Sequence, residues 1–109
     1  EFNKNISQII SLIQKFPTKI LFLGLTPVDE KRTNPFESET SFKNQRIKLF
    51  NDIVKEECSK NKILFLEFFK LLINKNYQDL LKDGLHPNSK GYDIISKEII
   101  NSIKKDKLI

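Results

Sequence analysis

The sequence predicts an α/β fold built on a parallel sheet, and three observations carry that reading. Two short, continuous apolar runs share the pentapeptide KILFL, at residues 19–23 and 62–66. A helical stripe of apolar residues lies between them, and amphipathic segments flank the pair on both sides. Four-residue apolar runs bounded by polar or turn residues suit strands buried on both faces, as in parallel sheets.

At the start of the chain, Phe2, Ile6, Ile9, Ile10 and Ile13 recur at helical spacing and fall on one side of an amphipathic helix. Phe16-Pro17 ends it, because a proline disfavours helical geometry in the residue before it. The first strand follows within 19–24. The segment 25–40 is polar, carries Pro27 and Pro35, and leaves the first strand at its carboxyl end, the edge where ligands bind in open α/β sheets. Asp29, Glu30, Lys31 and Arg32 of this segment are candidates to line a substrate pocket, the alternative being an ordinary solvated loop.

Ile47, Phe50, Val54 and Cys58 step at helical spacing, with Leu49 and Ile53 widening the stripe, which predicts a helix over about 41–60. Strand, helix and strand then form a βαβ crossover, expected to be right-handed. After the second strand, Phe68, Phe69, Leu71, Leu72 and Ile73 predict short helical pieces, interrupted at Asn74-Lys75-Asn76 and continued through Tyr77, Leu80 and Leu81. A last helix is expected over about 88–105, with Tyr92, Ile95, Ile99 and Ile103 on its inner face and Asn88 or Ser89 as its N-cap. Two strands fall short of the usual five or six in a sheet, and a lone pair is marginal in water, so the chain is expected to be part of a larger domain.

Composition narrows the function classes. The 109 residues are 39% hydrophobic and 30% charged, which excludes a disordered or collagen-like chain. No apolar stretch is long enough to span a bilayer. The net charge is +5, yet all cations but Arg32 and Arg46 are Lys dispersed among acids, so nucleic acid is not expected as a partner. Cys58 stands alone, which rules out an internal disulfide and reads as a small buried hydrophobe. It suits the cytoplasm without excluding export. One histidine among scattered acids is too few ligands for zinc, and Gly24, Gly84 and Gly91 are isolated rather than gathered in a phosphate loop, so neither metal nor cofactor is expected.

The chemistry concentrates in Asp83-Gly84-Leu85-His86-Pro87-Asn88, directly before the last helix. Asp83 and His86 are three apart with a glycine between, so the chain can turn and bring the carboxylate to a ring nitrogen. An imidazole held this way at Nδ1 presents Nε2 as a base, and the carboxylate stabilises the imidazolium that forms. By spacing alone, the pair reads more readily as a turn with a local cap, and the chain as a non-catalytic α/β interaction module.

The block DGLHPNSKGYDIIS, placed after a βαβ unit, resembles the closing block of the SGNH hydrolases, also called GDSL-type lipases and esterases, in which Asp-x-x-His is followed by Pro and a helix with an early Gly. KILFLGLTPVDE is similar to that family's fourth strand and following loop, NQRIKLFNDIVKEECSKN to its next helix, and KILFLEF to its fifth strand, so the resemblance covers essentially the whole chain. It implies a three-layer α/β/α sandwich with a flavodoxin-like parallel sheet of about five strands, of which residues 1–109 supply the last two. It implies hydrolysis of a small-molecule ester or thioester, with His86 as general base and Asp83 as its orienting partner.

The family's nucleophilic serine, in a Gly-Asp-Ser block, and its Gly and Asn oxyanion donors have no counterpart here. None of the eight serines, Ser38 among them, follows Gly-Asp, and no Asn stands in a Gly-x-Asn-Asp context. The chain is therefore expected to be the C-terminal part of a single hydrolase domain and inactive alone. Its oligomeric state is left open.

Overall fold

The computed structural model describes residues 1–36 and 40–107. Helix α1 (Phe2–Ile13) leads to strand β1 (Leu21–Leu23) and a single helical turn α2 (Glu30–Thr33). The long helix α3 (Asn44–Lys60) returns the chain to strand β2 (Leu64–Leu66). Then come α4 (Phe69–Ile73), a 3₁₀ turn (Tyr77–Leu80) and the terminal helix α5 (Ser89–Lys105). β1 and β2 pair in parallel, with Leu21 opposite Leu64, Phe22 opposite Phe65 and Leu23 opposite Leu66, so the two KILFL runs lie side by side in register.

α1 and α3 pack against each other, with Ile10 buried and the Phe2 and Phe50 rings tilted together at 4.6 Å between centroids. α3 ends in a Schellman motif: the Ile63 amide reaches back to the Cys58 carbonyl at 2.9 Å and the Lys62 amide to Ser59 at 3.2 Å. Lys62 itself takes the left-handed conformation, φ 55°, to turn the chain into β2. Among the described residues, no helix is long and apolar enough to cross a membrane.

The α/β prediction and the order of the main elements hold. Burial of the strands differs from expectation. Rather than being covered on both faces they are half-buried, and Leu23 is 48% exposed. β1 pairs only with β2 among the described residues, so one of its edges and part of its surface lack a neighbour. Ile9, Leu49 and Tyr92, placed by periodicity on or beside the inner faces, are also exposed, because the short sheet covers only part of each helical stripe. The dimensions agree: the molecule is a slab of 42 × 33 × 20 Å with a radius of gyration of 15.1 Å, against about 13 Å for a compact chain of this size.

The core lies instead under the loops that leave the carboxyl ends of the strands, where Val28, Phe68, Phe69, Leu72 and Leu81 are buried. Two buried-side asparagines of α3, seven residues apart, tie these loops down. Asn44 clasps the Val28 backbone, accepting from its amide and donating to its carbonyl, both at 2.8 Å. Asn51, 1% exposed, accepts from the Leu25 amide at 2.8 Å and donates to Glu67 Oε2 at 3.1 Å, joining the ends of both strands.

Candidate functional site

Asp83 and His86 sit on a tight loop between the 3₁₀ turn and α5. The loop's base is closed by an antiparallel bridge between Leu81 and Pro87, with the Lys82 amide donating to the His86 carbonyl at 2.8 Å. Gly84 turns the chain at φ 90°, a conformation that side chains rarely adopt. Beyond the loop, Asn88 caps α5, its Oδ1 accepting from the Gly91 amide at 3.0 Å while its Nδ2 donates to the Asp79 carbonyl at 2.7 Å. Gly91 lies so close to Leu80 that a β-carbon there would run into the Leu80 carbonyl oxygen. The helix start, the 3₁₀ turn and the loop therefore form one platform, over a void of only about 10 Å3 lined by Leu72, Leu81, Pro87 and Ile95.

On this platform the Asp83 carboxylate is fully used. Oδ1 accepts from the His86 amide at 2.7 Å and the Leu85 amide at 2.9 Å, and Oδ2 meets His86 Nδ1 at 2.7 Å. These bonds favour the charged form and hold the carboxyl well below the usual carboxylate range, the His86 amide contributing most, then the imidazole, then the Leu85 amide. With Oδ2 acting as acceptor, the neutral ring carries its proton on Nδ1 and leaves the Nε2 lone pair outward, on a side chain that is 60% exposed. Among the described residues, no group hydrogen-bonds to Nε2, and no serine bonds to His86.

The other candidates are placed differently. Asp29 and Arg32 are turned towards the Asp83 loop rather than a pocket: they pair with each other at 2.9 Å, and the Asp29 amide donates to the Gly84 carbonyl at 2.9 Å. Cys58 is fully buried on α3, where desolvation first and the neighbouring Glu57 charge second push its thiol up, away from nucleophilic character. Ser38 lies outside the described residues. Among those described, no three His, Cys, Asp or Glu side chains gather as a metal site.

Parallel strands joined through a helix, with a carboxylate-held imidazole beside the segment that leaves β1, define an α/β protein with a small parallel sheet and flanking helices. The chain belongs to the GDSL-like lipase/acylhydrolase family, whose model matches residues 1–94 and so includes Asp83 and His86. It is 28% identical over 112 residues to the isoamyl acetate-hydrolyzing esterase of Saccharomyces cerevisiae, covering 95% of this chain and 47% of the yeast protein.

Its fold is similar to the lipase/acylhydrolase from Enterococcus faecalis, with a TM-score of 0.80 at 21% identity over 96% of this chain and 51% of the other. A GDSL-like lipase from Bacteroides thetaiotaomicron gives 0.76 at 25% identity, over 95% and 51% respectively. The chain thus spans about half the length of the relatives it matches.

Proposed function

We propose that residues 1–109 are the C-terminal part of a single ester-hydrolase domain and supply the base and orienting acid of a serine-hydrolase triad. His86 Nε2 takes the proton from a serine hydroxyl as it attacks the ester carbonyl, and returns it to the departing alcohol. Asp83 fixes the Nδ1–H tautomer and stabilises the imidazolium. The observation that carries this reading is the 2.7 Å contact between Asp83 Oδ2 and His86 Nδ1, made by a carboxylate whose other oxygen is already committed to the loop's backbone. The serine and its oxyanion donors belong to polypeptide other than these residues. The substrate is a small carboxylic ester, the yeast relative's isoamyl acetate indicating the size class, with a thioester as the alternative.

The test joins these residues with the polypeptide that supplies the serine and follows its labelling by a serine-directed phosphonate. His86→Ala is expected to slow labelling and turnover of a short-chain ester by at least about a thousand-fold. Undiminished labelling overturns the assignment of His86 as base. Ester turnover by residues 1–109 alone overturns the placement of the nucleophile elsewhere.

A further inference from the structure

The loop that carries Asp83 and His86 is fastened from outside its own element. Arg32, on α2, projects its guanidinium across it: Nε donates to Asp29 Oδ2 at 2.9 Å, Nη2 to the Gln78 carbonyl at 3.1 Å and Nη1 to the Lys82 carbonyl at 3.4 Å. The backbone adds a second fastening, because the Asp29 amide donates to the Gly84 carbonyl. Gly84 packs so closely that a β-carbon there would lie 2.6 Å from Arg32 Cβ and 3.2 Å from Thr33 Cγ2. The α2 turn is itself anchored. Thr33 is wholly buried, its hydroxyl donating to the Phe42 carbonyl at 2.7 Å and its carbonyl accepting from the Phe42 amide at 2.8 Å.

Resting on the reading of His86 as a base held by Asp83, we propose that Arg32 is a positioning residue, which with Asp29 latches the 82–86 loop to the segment leaving β1 and so sets where His86 presents Nε2. Only a guanidinium serves: its N–H groups radiate in one plane and meet a carboxylate and two carbonyls together, whereas an ammonium is a point charge without that fixed fork. An ordinary exposed ion pair contributes little. Here two of the three acceptors are backbone carbonyls of the 78–82 segment, and the carboxylate comes from the turn that also grips Gly84. Asp29, with a side chain 14% exposed, is the shared anchor. The Arg32 side chain joins residues about fifty positions apart and adds to the Asp29–Gly84 backbone bond as a second hold on the loop from outside its own hairpin.

His86 is the sole histidine, so the imidazole signals of a ¹⁵N-labelled sample report this site alone. The experiment compares the wild-type chain with Arg32→Lys, which keeps the charge, and Arg32→Gln, which keeps a planar donor. It reads the tautomer of the neutral ring and the hydrogen exchange of the Leu85 and His86 amides, with α3 amides as reference. Both variants are expected to speed exchange at Leu85 and His86 by about ten-fold or more, to leave α3 unchanged, and to erode the Nδ1–H preference.

Wild-type exchange and tautomer in Arg32→Lys overturn the proposal, because charge alone then suffices. Equal loosening of α3 also overturns it, since a latch acts on the loop. Asp83→Asn separates this from the underlying reading: if the tautomer survives that change, the Asp83–His86 couple fails whatever Arg32 does.

Discussion

Replacing Gly84 with alanine gives the sharpest quantitative test of the loop geometry. Gly-to-Ala changes at compatible positions stabilise by about 0.4–1 kcal/mol, because the unfolded chain loses freedom. Here the sign reverses for two reasons. At φ 90° an L-residue costs about 1–2 kcal/mol. The new methyl meets Arg32 Cβ at 2.6 Å, and as that atom is fixed to the backbone it has no side-chain rotation with which to yield. Forcing a methyl into packed space adds about 1–3 kcal/mol. After the unfolded-state gain, a net loss of about 2–4 kcal/mol is expected. For a chain of this size each kcal/mol lowers the melting temperature by about 4–5 °C, so Tm falls by about 8–20 °C in thermal unfolding followed by far-ultraviolet circular dichroism. Urea unfolding at constant temperature gives the free energy directly through the shift in midpoint at unchanged slope. A loss below about 0.5 kcal/mol, or a gain, refutes the reasoning: it means that Gly84 neither needs its positive φ nor packs on Arg32.

Two further outcomes follow from the same geometry. Lys62→Gly relieves a left-handed residue at the end of α3, where the Schellman bonds are backbone bonds that any residue keeps. A gain of about 0.5–1 kcal/mol is expected, net of glycine's entropy, and unchanged or lowered stability in urea unfolding counts against it. The Asp83 carboxyl, lowered in the folded chain, contributes stability that is fully present above the ordinary carboxylate pKa of about 3.9 and is lost progressively as pH falls from there through the lowered folded value. A carbon-13 titration of the Asp83 side chain is therefore expected to show no inflection between about pH 3 and 5, and an inflection near 4 contradicts the bonding described.

The fold was legible where local chemistry decides it. The twin KILFL runs and the stripe between them specified a parallel pair and its crossover helix, and Asp83, Gly84 and His86 fall within four residues, so their meeting needed no tertiary information. Burial was less legible, since a hydrophobic run shows what a strand tolerates and not how many neighbours it has. Leu23 and Tyr92 are exposed for that reason. The α2 turn was hidden in a segment that reads as a polar loop, although Asp29 accepts from the Lys31 amide as a cap does. Arg32 read as one cation in a charged run, because its partners Gln78 and Lys82 are 46 and 50 residues away. The Asn44 and Asn51 clasps did leave a trace: polar residues at seven-residue spacing beside an apolar helical stripe mark side chains that face inward and must find backbone partners.

The carboxylate and the imidazole are carried by one short hairpin, and that reduces the geometry of the site to very few variables. Where an acid and a base come from separate elements, each movement of one against the other alters the ring's proton distribution as well as its position. Here Asp83 Oδ1 is bonded to the amide of the very residue whose ring Oδ2 holds, so hairpin, carboxylate and ring translate together. While the Arg32 fastening holds, displacing this triangle relative to a neighbouring group changes a distance and leaves the Asp83–His86 bonds in place. Under the proposed reading, arrival and departure of a substrate proceed by shifts of surrounding chain that leave the Asp83–His86 couple assembled.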